Sequence, residues 1–189
     1  MSIFLINSIF FIFFDKKMKN SILFLFLNFL ILSCKSNQAF LISENKDKVE
    51  TTLNAWHKAA AEAKLEEYFS LMTKDGVFIG TDPTENWQNE AFMAFSKPYF
   101  DKGKAWNFTS IERNIYFSDD KKIAWFDELL DTQMKICRGS GVLKLENGKW
   151  KIVHYVLSIT IPNDNTNEVV KLKTKFDDEI MKNLKNKKH

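Results

Sequence analysis

Apolar residues recur along the chain with two different periods, and the change from one to the other marks out its elements. From Ser43 to Lys64 the spacing is helical, with Val49, Leu53, Trp56, Ala60 and Ala63 on one stripe behind a Ser43 N-cap. Leu65, Tyr68, Phe69 and Met72 keep the same spacing and predict a second, short helix. Asp75-Gly76 then turns the chain into a short strand, Val77–Ile79, which Gly80-Thr81-Asp82-Pro83 breaks. Trp87–Phe100 reads as a third helix carrying Phe92, Phe95 and Tyr99, with Pro98 expected to end or kink it. Beyond Trp106 alternation takes over. Strands are predicted over Trp106–Ser118, Ile123–Leu130, Gln133–Leu145 and Lys149–Ile161, with turns at Asp119-Asp120 and Asn147-Gly148. Pro162–Asn165 closes this region, and Asn167–Lys188 is a charged segment of helical character. The expected class is α+β, with one face of a curved antiparallel sheet buried against about three helices.

Side-chain parity in the last hairpin singles out candidate chemistry. With Asn147-Gly148 as a two-residue turn, Leu143 pairs with Ile152, Gly141 with His154 and Gly139 with Val156. A histidine then stands opposite glycines on one sheet face, a polar group beside a gap, together with Leu143, Trp150, Ile152 and Ser158. An odd loop or a bulge would reverse that parity. If Asp131-Thr132 turns the preceding hairpin, Phe126, Glu128 and Cys137 share the His154 face, while Trp125, Asp127, Arg138 and Tyr155 share the other. Glu128 and His154 are therefore the candidate acid/base pair, since burial and neighbours can tune a carboxylate and an imidazole. The alternative is a buried hydrogen-bonded pair that orients the sheet. Trp56, His57, Tyr68, Phe78, Trp87, Phe92, Trp106, Phe126, Trp150 and Ser158 are the expected pocket residues. Arg113 reads as solvated.

The N-terminal region has a separate character. Lys16, Lys17 and Lys19 precede an apolar run, Ile22–Leu32, which ends at Ile31-Leu32-Ser33-Cys34. A basic flank, a short apolar core and a small residue before a Cys resemble the signal peptide and lipobox of bacterial lipoproteins. That resemblance implies a lipidated Cys34 and a protein anchored in the bacterial cell envelope, facing the periplasm or the surface. Residues 1–34 are thus the signal region, the first 17 reading as a start-site artefact ahead of Met18 (the rival reading is a hairpin anchor of two membrane segments), and 35–43 a tether. Residues 44–164 form the domain and 165–189 the tail. With Cys34 lipidated, Cys137 has no disulfide partner. There is no CxxC, and three His in all leave no zinc-like grouping, so neither a metal nor another cofactor is expected. Composition adds one exclusion. The net charge of +3 comes from the tail, which holds seven Lys and three acids from Lys171 to His189. The body between Lys35 and Val170 has 17 basic and 20 acidic residues, so no nucleic-acid partner is expected.

Five segments in order carry a further resemblance: Ala55–Ala60, Phe78–Asp82, Ala124–Glu128, Arg138–Leu143 and Trp150–His154. Over Asn45–Asn163 the chain resembles the SnoaL-like domains of the NTF2-like superfamily. The resemblance implies a cone-shaped α+β fold (NTF2-like, cystatin-like) with an apolar pocket, homodimeric through its sheet. Members include cyclases and isomerases that use a pocket carboxylate; others bind ligands or only dimerise. Several relatives carry His-x-His-x-Ser on the last strand, where this chain has His154-Tyr155-Val156-Leu157-Ser158 and lacks the second His. Two functions follow as expectations. One is a lipid-anchored domain whose pocket binds a small apolar molecule, with proton transfer of isomerase or cyclase type; the other is a non-catalytic homodimerisation module of the envelope. Sequence alone does not decide whether the protein is an enzyme.

Overall fold

The computed structural model describes residues 43–187. The signal region, Cys34 and nearly all of the tether lie outside the described residues. The chain divides after Glu50, so residues 43–50 are the described part of one unit and residues 51–187 that of the other. A helix, α1, runs over 43–61. It stops because Ala63 takes a left-handed conformation (φ 53°), and the Lys64 N–H donates to the Ala59 carbonyl across the last turn. The stripe therefore ends at Ala60, with Leu53, Trp56, Ala59 and Ala60 buried.

The order continues α2 (Leu65–Ser70), β1 (Met72–Ile79), β2 (Asn86–Gln88), α3 (Asn89–Asp101), β3 (Thr109–Phe117), β4 (Ile123–Thr132), β5 (Lys135–Glu146) and β6 (Lys149–Ile159). A 3-10 turn at Asn163–Asn165 leads to α4 (Thr166–Asn186). Met72 starts a strand rather than ending a helix, and Trp87 lies in β2, ahead of α3. Pro98 stands inside α3, which runs three residues past it. Among the described residues no helix is long and apolar enough to cross a membrane.

The expected cone-shaped, curved antiparallel sheet is not what forms. The six strands make an open sheet, β2-β1-β6-β5-β4-β3, neither closed nor strongly curled. Its β1–β6 pair is parallel. Closure requires edge strands of matching length and stagger. Here one edge is the three-residue β2 and the other the nine-residue β3, which have no comparable ladder to offer each other.

Two details of register decide which residues meet. Asn147 and Gly148 both have positive φ (51° and 77°), as the predicted two-residue turn requires. Pairing runs as expected to Leu143↔Ile152 and then slips, so that Val142 faces His154 and Gly141 faces Tyr155. Val153 is the extra residue of a β-bulge. Beyond it every side chain of β6 changes face: Tyr155 and Leu157 turn inward, and His154 and Ser158 turn outward. The β4–β5 turn falls at Gln133-Met134 rather than Asp131-Thr132. The Thr132 hydroxyl accepts the Met134 N–H at 2.9 Å and donates to the Lys135 carbonyl at 2.9 Å, and Lys135 supplies the left-handed residue (φ 68°). Register moves by an even number of residues, so Phe126, Glu128 and Cys137 still share the inner face, with Glu128 opposite Gly139.

Deleting Val153 should remove the bulge and force either Tyr155 outward or the ladder out of register. Urea denaturation should show loss of the cooperative transition for the deletion, while Val153→Ala costs about 1 kcal/mol. A deletion variant as stable as the parent would rule out the bulge.

Candidate functional site

Glu128, in the middle of β4, is the most buried acidic side chain of the inner face, at 1% exposure. Neighbouring elements surround it in turn. Directly across the ladder on β3 is Arg113, whose Nε donates to Glu128 Oε2 at 2.9 Å. Arg113 Nη2 lies 2.7 Å from the same oxygen, an ion-pair contact without a well-aligned hydrogen bond. Arg113 Nη1 donates to Asn54 Oδ1 of α1 at 2.7 Å. From α1, His57 places Nε2 2.9 Å from Glu128 Oε1. From β6, the Tyr155 hydroxyl donates to Oε1 at 3.3 Å.

Gly139 makes room for this. A Cβ there would meet the Tyr155 hydroxyl and stand 3.0 Å from Glu128 Cγ and Oε1. At Gly141 a Cβ would meet the His154 carbonyl oxygen and come within 2.8 Å of the Phe126 ring. The gap predicted beside the glycines is not open, because the Tyr155 and Phe126 side chains occupy it.

The electrostatics follow from these contacts. Burial pushes the Glu128 carboxyl up, but the His57 hydrogen bond and the Arg113 charge more than offset it, so its pKa lies below the ordinary value. Glu128 is thus an ionised acceptor, and His57 Nε2 carries the proton between them. Tyr155 is pushed well above its ordinary value, by burial first and by the Glu128 charge next, and stays a donor. Oε2 is committed to Arg113 and Oε1 to His57 and Tyr155, leaving the carboxylate engaged on every side.

Most of the predicted pocket residues come together as one aromatic cluster. Trp56 stacks on Tyr68 at 4.8 Å and meets Tyr155 edge-on at 4.8 Å. Phe78 stacks on Phe92 at 4.0 Å, Trp106 lies 5.7 Å from Phe92, and Phe126 lies 6.1 Å from Tyr155. Trp87 sits half-buried at the rim, stacked on Phe95 at 4.5 Å. Trp150 is elsewhere, near the hairpin turn against Phe117. Ser158 is exposed opposite Arg138. His154 is half-buried on the outer face between Val142 and Val77, so it is not brought to Glu128. His57 takes that place.

Arg113, read as solvated, has a side chain only 4% exposed. Its signal was available, since it shares strand parity with Ile115 and Phe117 on the inner face. Tyr155 and Asn54 were also missed, the first because the bulge reverses its face.

Two of the clefts that open on the surface lie among the described residues. One, of about 350 Å³, is lined by Asn54, His57, Lys58, Ala61, Asn107, Phe108, Thr109 and Ser110. His57 thus connects the buried carboxylate to this cleft, and Nδ1 is its ring nitrogen not engaged by Glu128. The other, of about 300 Å³, lies beside Phe69, Lys74, Asn89, Glu90 and Met93. Among the described residues no group of three or more His, Cys, Asp or Glu is placed to hold a metal.

Residues 49–162 match the family model described as SnoaL-like domain, and the chain belongs to that family. No curated protein matches it. Its fold is similar to an NTF2-like protein of unknown function from Pseudomonas putida KT2440, at 11% identity and a TM-score of 0.54 over 65% of this chain and 92% of that one. It is also similar to a putative scytalone dehydratase from Novosphingobium aromaticivorans, at 12% identity and a TM-score of 0.53, covering 61% and 84%. A putative dehydratase from the NTF2-like family from Streptomyces avermitilis gives 12% identity and a TM-score of 0.51, covering 61% and 96%. At such identities the likeness is one of fold.

Glu128→Gln should cost about 3–5 kcal/mol, because it leaves the Arg113 charge buried without a counter-ion. The pH dependence has a definite sign. A lowered carboxylate pKa contributes stability in full above the ordinary value of 4.5, and that contribution is lost as pH falls through the folded-state value. Urea titrations in the acid range should therefore show the parent losing stability more steeply than Glu128→Gln. Equal acid slopes would mean that Glu128 is not ionised in the folded protein.

Proposed function

We propose, taking membership of the SnoaL-like family as the premise, that the domain binds a small molecule in the cleft beside His57 and transfers a proton there. What carries the proposal is one ring. His57 Nε2 is held 2.9 Å from the buried Glu128 carboxylate, and the same side chain lines the cleft. A neutral imidazole held in this way has its proton on Nε2 and a lone pair on Nδ1. Nδ1 would take a proton from an enolisable substrate, and Glu128 would steady the imidazolium that forms. His57 is then the catalytic residue and Glu128 a positioning residue. Glu128 itself is a poor base, being already paired with Arg113. The ligand's polar edge would meet Asn54 and Lys58 of α1 and Asn107, Thr109 and Ser110 ahead of and within β3. Its apolar part would rest on Phe108 and Ala61.

The outer sheet face supports a second reading, homodimerisation. Tyr116 and Trp125 stack there at 6.0 Å and stay 47% and 46% exposed, next to Ile123. Exposed aromatics in a group mark surfaces that find partners. In either reading we propose that a lipid on Cys34 holds the domain at the bacterial envelope.

Two measurements test these readings. A small-molecule panel should raise the thermal midpoint of the parent for one chemical class. His57→Gln should abolish that shift or the associated turnover, by roughly 10²-fold or more, and Glu90→Gln in the other cleft should leave both unchanged. A ligand whose binding and turnover survive His57→Gln would overturn the cleft assignment. For the anchor, Cys34→Ser should move the protein from the membrane fraction to the soluble one. Unchanged fractionation would remove the lipid from the account.

A further inference from the structure

Helix α4 (Thr166–Asn186) has no buried residue along its 21 positions. A helix of that length and composition is marginal alone in water, since most helical stability in proteins comes from covering an apolar face. Four of its seven apolar residues form such a face, with Val170, Met181 and Leu184 beside it. Val169, Leu172, Phe176 and Ile180 recur at spacings of three, four and four, within an arc of about 80°. Leu172 is 78% and Phe176 68% exposed.

The borders of the seam say what kind of surface covers it. One side holds Lys173 and Asp177, ion-paired at 3.0 Å, and the other holds Glu168, Lys175 and Glu179. A helix that lies on a lipid surface has a broad apolar face edged by lysines. A narrow seam edged by charges of both signs is the pattern of helix pairing.

We propose that α4 pairs with α4 of a second copy of this chain, antiparallel and centred on Phe176. Turning the helix end for end about Phe176 sets Leu172 against the partner's Ile180. It sets Lys173 against the partner's Asp177 on one flank and Lys175 against the partner's Glu179 on the other. Symmetry repeats each pair, so four interchain ion pairs border the seam. A parallel pair would instead bring the basic block Lys171–Lys175 level with its own copy, and the acids Asp177, Asp178 and Glu179 level with theirs. This pairing is independent of the cleft and of the outer sheet face.

Single cysteines in the full chain test it, on a Cys34→Ser background with the buried Cys137 left in place. Under mild oxidation Phe176→Cys should give a disulfide-linked dimer. Val169→Cys and Leu184→Cys should each stay monomeric, because their symmetry mates lie roughly 20 Å apart against a limit of about 7 Å for a disulfide. A mixture of those two variants should cross-link. Lys175→Glu should cut the Phe176→Cys dimer yield several-fold, and adding Glu179→Lys should restore it. Cross-linking of all three single variants would show a parallel pair and overturn the proposal. Absence of the Phe176→Cys dimer would overturn it too, whether or not the full chain sediments with phosphatidylglycerol vesicles. Vesicle binding that Phe176→Lys abolishes would then assign the face to lipid.

Discussion

A carboxylate taken out of water at the centre of the inner sheet face is the constraint around which the rest of this domain is arranged. Left alone, a buried Glu128 would cost several kcal/mol or simply become protonated. It stays ionised because Arg113 and His57 hold it, and Tyr155 adds a third donor. Each partner depends on a separate feature of the chain. Arg113 is inward because β3 pairs Arg113 with Glu128 across the ladder. Tyr155 is inward because Val153 bulges. Its hydroxyl reaches the carboxylate because residue 139 has no side chain. His57 arrives from α1, on the same turn that sends Trp56 into the aromatic cluster. The network therefore pins α1, β3, β4, β5 and β6 to one another, with a directionality that apolar packing lacks.

Apolar packing supplies the bulk of the stability around that node. Trp56, Tyr68, Phe78, Phe92, Trp106 and Tyr155 meet ring on ring, in the stacked and edge-on geometries aromatic pairs prefer. Residues expected to line a pocket thus pack against each other, which moves the proposed ligand site outward to the cleft at His57. The carboxylate and the cleft both meet one imidazole. A ring in that position is held by the interior and also lines the surface cleft.

How much of this was legible in the sequence depends on the range of the physics involved. Alternation over β3 to β6, the Asn147-Gly148 turn and the stripe on α1 are local, and each element formed close to where its pattern lies. The inward placement of Phe126, Glu128 and Cys137 was also legible, since moving the β4–β5 turn by an even step preserves parity. The bulge at Val153 was not, because nothing in Ile152-Val153-His154-Tyr155 distinguishes an extra residue from a continuous strand. That single residue exchanged His154 for Tyr155 at the site. The parallel pairing of β1 with β6 was hidden for a similar reason, since it joins residues some eighty positions apart. Arg113 was legible in principle, through its parity with Ile115 and Phe117, once a buried partner was imagined for it.

The exchange of His154 for His57 changes the chemistry as well as the inventory. An acid/base pair of Glu128 with a histidine on the neighbouring strand would have placed both groups on the sheet, with the carboxylate free to act. With His57 on the helix, the carboxylate is bound by Arg113 on one oxygen and by His57 and Tyr155 on the other, and its pKa is driven down rather than up. Such a group holds charge well and gives up or takes a proton poorly. In the proposed function chemistry therefore falls to the imidazole of His57, which also lines the surface cleft.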